Sequence, residues 1–310
     1  MTKLVDDTMI ATCIQFEKTS TRTGSFAFGE ESEEELGKKV ANYFNSDDLA
    51  YLLVFTTFGV NAGNILKGIN SIYKGKVPVS GGMAADDSRF EKTFLGLDNE
   101  ISSAQIIGVG FYGKDIIVSH GSKGGWDKFG PIRKVTKSNG NYLYEVDHKP
   151  ILDLYKHYLG EKATDLPASG LLFPFAIVDD ETKEPIVRAI QSIDEESNAL
   201  IMHGDIEEGQ SIQLMRANFN GLIKGAGDAA KETMIGENKN PELALLISCL
   251  ARRLVLGQMT EEELVETKEA FDPKTKICGF YSYTELCPLV GDNACHSHNQ
   301  TMTITTFSEK

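Results

Sequence analysis

From Phe90 to Val146 every patterned stretch of this 310-residue chain reads as β-strand, and that run constrains the fold more than any other feature. It comprises "FEKTFLGL", "AQIIGVGFY", "DIIVSHG", "PIRKVTKS" and "NYLYEVD", with Asn139-Gly140 between the last two. Both turn residues tolerate positive φ, so the pair marks a tight hairpin and antiparallel pairing. A parallel, doubly wound sheet needs a crossover between successive strands, usually a helix, and this run offers none.

On either side helices return. Ahead of the run, "TMIATCIQF" and "TGSFAF" read as strands. "SEEELGKKVANYF" then places Leu36, Val40, Tyr43 and Phe44 on one helical face, with three glutamates at its positive N-terminal end. "AYLLVFTTF" is a continuous apolar run of the buried-strand kind, a second helix aligns Ile65, Ile69, Ile72 and Tyr73, and "VPVSGG" is a short strand. Behind the run, "KPILDLYKHYLG" is a helix stopped by Gly160 and divides the chain. Further strands follow, then a helix near 220–233, the apolar strand "LALLISCLA", a helix opened by a capping box from Thr260 to Glu263, and the strands "KICGFYSYTEL" and "TMTITTF". The expected fold is α/β of the mixed α+β kind. It has two domains, 1–146 and 147–310, each a mixed, mostly antiparallel sheet layered with helices.

Composition narrows the function classes. An apolar share of 41% with 25% charged residues is that of a folded protein. A net charge of −14 and a pI near 4.9 argue against a nucleic-acid partner or an anionic membrane surface. "LALLISCLA" falls far short of the ~20 residues that span a bilayer, so no membrane insertion is expected. Five dispersed cysteines and no secretory signal pattern suit a reducing cytoplasm.

Local motifs point away from common catalytic chemistries. "GVGFYG" (Gly108 to Gly113) matches a dinucleotide fingerprint, yet a strand follows where the pyrophosphate would need a helix N-terminus. No phosphate loop and no nucleophile elbow occurs. Cys278, Cys287, Cys295, His296 and His298 are soft or borderline ligands, but gaps of eight and seven residues between the cysteines are unlike the short loops of zinc sites. A haem needs only one axial imidazole and an apolar pocket. Of the six histidines, His120 and His298 stand at the ends of predicted strands, where a pocket mouth can form.

Several stretches together resemble the FIST proteins, a family of paired N- and C-terminal FIST domains that serve as signal-input modules in bacteria. "VPVSGGMAADDSRFEKTF" is similar to the family's Gly-Gly-x-Ala-x-Asp segment. "GSKGGWDKFGPIRKVTKSNGNYLYEVDHKPILDLYKHYLG" is similar to the signature joining the two domains. "IQSIDEESNALIMHGDIEEGQSIQLM", "SCLARRLVLG" and "CGFYSYTEL" with "HNQT" resemble the later landmarks, in the right order along essentially the whole chain. Against the family pattern the chain is short at its N-terminus by about one α/β unit.

The resemblance implies a cytoplasmic sensor that binds a small ligand, amino acid-like, and signals to a histidine kinase, a cyclase or a chemotaxis component. Its implied contacts are Asp86, Trp126, Thr136, Arg188, Arg252, Tyr283, Glu285, His298 and Asn299, with Arg252 for a carboxylate and Glu285 for an ammonium group. One branch of the family binds haem and senses nitric oxide. That makes His298 or His120 a candidate iron ligand. A hydrolase with Glu285 and His298 as acid and base is the reading from another class.

Overall fold

The computed structural model describes residues 3–6, 8–178, 185–235, 238–289 and 291–310. Its core is a stack of four layers: two helices, a six-stranded sheet, a four-stranded sheet and two more helices.

The six-stranded sheet runs in the order Ser20–Ala27, Gln105–Tyr112, Leu49–Thr56, Val79–Met83, Glu285–Pro288, Cys295–His298. The helices Glu33–Phe44 and Ala62–Tyr73 cover one face, where Leu36, Val40, Ile65 and Ile69 meet Leu52, Val54 and Ile106. Successive strand residues point to opposite faces. Tyr51 and Leu53 therefore face the other way and meet Leu243 and Phe307 of the second sheet. That sheet has the order Lys276–Ser282, Leu243–Cys249, Met302–Glu309, Ile116–Lys123. Its outer residues Ala244, Leu246 and Ile304 pack with Ala226 and Ala230 of the helix Phe219–Thr233, which the helix Thr260–Ala270 flanks. The two continuous apolar runs of the sequence are thus strands buried on both faces, as their pattern requires.

An eight-stranded sheet stands beside this stack. Its strands include Asp127–Asn139, Tyr142–Val146, Phe175–Val178, Ile186–Arg188, Ile190–Asp194, Ala199–Met202 and Ser211–Arg216, with the helix Ile151–Leu159 over its core. Strands of the two chain halves share every large sheet. Glu285 and Leu286 pair with Gly82 and Gly81, Ile116–Lys123 pairs with Met302–Glu309, and the hairpin from Asp127 to Val146 enters the eight-stranded sheet. The double glycine has a steric cause: Gly81 has φ +149, and a Cβ there would lie 1.7 Å from the Val54 carbonyl oxygen. "GVGFYG" is equally steric, because the Phe44 ring lies against Gly108 and Gly110.

Four local expectations are corrected. Thr8–Phe16 forms no strand; it is extended, mostly exposed chain. Tyr43 is 39% exposed, at the margin of its helix's buried face. The strand in "LALLISCLA" ends at Cys249 and a helix, Leu250–Leu256, starts at once. The capping box does not form: Thr260 is the first helical residue and donates to the Gly257 carbonyl at 2.6 Å, while the Glu263 carboxylate turns inward to Arg252. An inward ion pair takes the side chain that a box would send back to the backbone.

A candidate site at a buried turn

The three large sheets converge on the turn His298-Asn299-Gln300-Thr301. It leads from the last strand of the six-stranded sheet into Met302–Glu309 of the four-stranded sheet, and Ile186–Arg188 of the eight-stranded sheet lies against it. Gln300 has φ +56 and no exposure, a conformation uncommon for a non-glycine residue and held only by surrounding contacts. Trp126 Nε1 donates to the Gln300 carbonyl at 2.9 Å, and Gln300 Nε2 donates to the Leu171 carbonyl at 3.0 Å. The Cys249 N–H donates to the Thr301 carbonyl at 3.0 Å.

Despite these contacts the turn holds buried acceptors without donors. Asn299 Nδ2 donates to the His298 carbonyl at 3.1 Å, but Asn299 Oδ1 and Gln300 Oε1 have no partner among the described residues. Ser169 Oγ, in the short helical turn Ala168–Leu172 that also supplies the Leu171 carbonyl, is unpartnered too. Unpaired buried polar atoms of this kind cost about 1–3 kcal/mol each, and native proteins hold few of them.

Arg188 is the charged group beside the turn. It is 8% exposed and donates only to carbonyls: Ser297 at 2.8 Å, Val187 at 3.3 Å and Asp205 at 3.3 Å. Among the described residues no carboxylate lies within salt-bridge distance of it. Burial lowers its pKa to about 10, against the favourable field of Asp205.

Glu285 underlies the turn. Its carboxylate accepts from Ser282 Oγ at 2.7 Å and Thr301 Oγ1 at 3.0 Å, and burial raises its pKa to about 8. His298 is paired in register with Glu285. Its Nε2 contacts the Cys287 carbonyl at 2.9 Å, and burial lowers its pKa to about 3, so it is a neutral imidazole.

The structure therefore brings Trp126, Arg188, Glu285, His298 and Asn299 together at one turn. It does not bring in the others. Arg252 is fully buried, and its Nε and guanidinium nitrogens meet Glu263 Oε2 at 3.1 and 2.9 Å and the Gly124 and Leu222 carbonyls at 2.6 and 2.8 Å. Arg252 and Glu285, expected to take a ligand's carboxylate and ammonium, are not brought to one site, because the helix Leu250–Leu256 aims that guanidinium at Glu263.

Asp86 and Tyr283 form a separate latch. Against the desolvation of its carboxylate, the Tyr283 hydroxyl and the N–H groups of Lys92, Glu91 and Phe90 hold Asp86 at a pKa of about 2. Phe90 stacks on Tyr283 at 4.4 Å. Thr136 accepts from the His148 N–H at 3.0 Å, in the hairpin of the eight-stranded sheet. Gln300, Ser169 and Cys249 were absent from the sequence-based set; the string "HNQT" between two strands was the only available signal for Gln300.

The histidines do not fit haem. His298 is 1% exposed with Nε2 engaged, rather than at a pocket mouth. His120 lies inside the strand Ile116–Lys123, opposite Thr305, and not at its end. Neither lines the groove of about 680 Å³ near Phe16, the larger of the cavities described in this structure. No cluster of three or more metal-ligating side chains occurs among the described residues. Cys295 is 2% exposed within a strand.

The Trp126 contact gives a first test. Trp126→Phe keeps an aromatic ring in the apolar cluster with Val187 and Leu222 but removes the donor to the buried Gln300 carbonyl. A loss of about 1–2 kcal/mol in denaturant unfolding is expected. An unchanged midpoint would show that the turn finds another donor.

Comparison with known proteins places this geometry in a family. The FIST N domain matches residues 1–149 and the FIST C domain matches residues 152–288. An uncharacterized protein of Methanocaldococcus jannaschii is 28% identical over 204 residues, covering 60% of this chain and 38% of the relative's own length. No described helix is long and apolar enough to cross a membrane. With both domains matched in order over most of its length, the chain belongs to the FIST family of signal-transduction sensor domains.

Proposed function

We propose that this FIST protein is a cytoplasmic sensor that takes a small, amino acid-like ligand at the buried turn and signals to a separate partner, such as a histidine kinase, a cyclase or a chemotaxis component. The ligand presents a carboxylate to Arg188 and hydrogen-bond donors to Asn299 and Gln300. One observation carries this reading: among the described residues, a buried guanidinium without a carboxylate lies beside two buried side-chain oxygens without donors. A zwitterionic ligand satisfies both deficits, since arginine holds a carboxylate bidentately and amide oxygens accept from ammonium. His298 and Trp126 shape the walls, and Glu285 holds Thr301 at the turn's far end.

The site's place in the fold supports a signalling role. The turn links two sheets and touches a third, so a ligand that prefers one arrangement of the turn shifts how the three sheets pack. The polar atoms are closed off in this state, so the turn or the segment Ala168–Leu172 opens for binding, which lowers apparent affinity by the open fraction.

The test is a thermal-shift screen of the twenty amino acids and of short hydroxy and keto acids. A binder raises Tm with the logarithm of its concentration once that exceeds Kd. Arg188→Met is expected to remove the shift while leaving a cooperative melt, because it replaces a desolvated charge with an apolar chain of similar length. Asn299→Leu is expected to weaken the shift for ammonium-bearing members more than for hydroxy acids. If no member raises Tm, or if the shift survives Arg188→Met, the reading is wrong.

A further inference from the structure

The N-terminal segment and the edge of the four-stranded sheet face one another across the groove of about 680 Å³, and each contributes a cysteine to its lining: Cys13 from the segment, Cys278 from Lys276–Ser282. Both thiols are free. We propose that Cys13 and Cys278 are a reversible disulfide pair that fastens the N-terminal segment to this sheet edge under oxidising conditions.

Three observations carry the inference. Lys276–Ser282 is an edge strand whose one strand partner among the described residues is Leu243–Cys249, so nothing in the sheet blocks approach from its outer side. The segment Thr8–Phe16 makes no hydrogen bond among the described residues, so moving it breaks none of those. The segment is anchored close by. Phe16 packs edge-on against Phe111 at 5.9 Å, in the same apolar cluster as Cys278, and Glu309 accepts from the N–H groups of Glu17 and Lys18 at 2.6 and 2.9 Å. Cys13 lies three residues from Phe16, a reach of about 10 Å in extended chain. A disulfide needs Cα atoms roughly 4.4–6.8 Å apart, so Cys13 swings on that tether across the groove to meet Cys278.

The chemistry is thiol–disulfide exchange with a small disulfide such as oxidised glutathione. The Cys13 thiolate, the more exposed of the two, attacks a glutathione sulfur and releases one glutathione thiolate. The Cys278 thiolate then attacks the Cys13 sulfur and releases the second. Two protein thiols lose two protons and two electrons, and one glutathione disulfide becomes two thiols. The bond would restrain the strand that ends at Ser282, whose hydroxyl donates to Glu285 beneath the turn. This inference stands independently of the ligand proposed above.

The experiment incubates the full chain with oxidised glutathione, blocks remaining thiols with an alkylating reagent and maps peptides by mass spectrometry. A Cys13–Cys278 cross-linked peptide is expected, lost on dithiothreitol treatment and absent from Cys13→Ser. Cys278→Ser is expected to stop at the Cys13–glutathione adduct. Slower hydrogen exchange in residues 8–16 and 276–282 of the oxidised protein reads the fastening directly. Persistence of the Cys13 adduct in the wild type with Cys278 alkylated, or Cys13–Cys13 dimers in its place, would overturn the proposal.

Discussion

Arg252→Met is expected to lower the unfolding free energy by about 3–5 kcal/mol, and Tm by roughly 5–8 °C. Arg252 and Glu263 are both fully buried, and their side chains meet at 2.9 Å. Removing the guanidinium leaves the Glu263 carboxylate with only Ser248 Oγ at 3.2 Å and the Tyr281 hydroxyl at 2.8 Å. It also strips a donor from the Gly124 and Leu222 carbonyls, two points that hold the segment before Trp126 and the start of the helix Phe219–Thr233. Denaturant unfolding measures the loss. The double variant Arg252→Met/Glu263→Gln separates charge from packing: if the stranded carboxylate dominates, the double variant is more stable than the single. A single variant within 1 kcal/mol of wild type would mean that Glu263 is accommodated without its partner.

Much of the architecture was legible because it follows from periodicity. "AYLLVFTTF" and "LALLISCLA" are apolar at consecutive positions because each strand is buried on both faces, one face against helices and the other against the opposing sheet. Asn139-Gly140 marked its hairpin one residue early: Asn139 ends its strand, paired to Tyr142, and Gly140-Asn141 makes the turn, with Gly140 alone at positive φ. Partner choice was not legible. A strand's own pattern reports how many of its faces are buried but not which distant strand supplies the next rung, since pairing energy resides in cross-strand contacts. Thus nothing in "CGFYSYTEL" announces that Glu285–Pro288 leaves its own half of the chain to pair with Gly81 and Gly82. The same blindness turned Thr8–Phe16 into a predicted strand: its β-branched and apolar residues suit a strand, and its missing partner is invisible to local reasoning.

The site divides along the same line. Family resemblance pointed at Trp126, Arg188, Glu285, His298 and Asn299, which the structure gathers at one turn. It also pointed at Arg252, Asp86, Tyr283 and Thr136, whose polar atoms are taken up by Glu263, by backbone N–H groups and by one another. Whether a buried polar atom is spent or spare depends on angles and distances in the folded chain. No spacing rule predicts that Asn299 Oδ1 lacks a donor while Arg252 has four acceptor contacts.

Between pH 7 and 8 the stability of this protein is expected to fall as pH rises, and Glu285→Gln is expected to remove that fall. Burial raises the Glu285 pKa to about 8 from an ordinary value of 4.5. Across this window the unfolded chain has already released that proton while the native chain retains it, so each unit of pH favours unfolding by up to about 1.4 kcal/mol. Above pH 7 this group outweighs the buried histidines. His120, His203 and His298 are lowered by burial to about 4, 4 and 3, so they favour the native state as pH rises through 6.5, and the last of that gain, about 0.4 kcal/mol in all between pH 7 and 8, opposes the Glu285 loss. The buried thiols of Cys249, Cys287 and Cys295 have raised pKa values and contribute mainly above pH 8. The Glu285 loss from pH 7 to 8 amounts to about 1 kcal/mol, read as the difference between wild-type and Glu285→Gln denaturant melts at fixed ionic strength. A glutamine at this position can keep the acceptor for Thr301 and turn its amide toward Ser282 Oγ, whose proton has the Ser248 carbonyl at 3.4 Å as an alternative. A flat profile in the wild type would show that Glu285 ionises freely in the core. An undiminished slope in Glu285→Gln would assign the proton to another group.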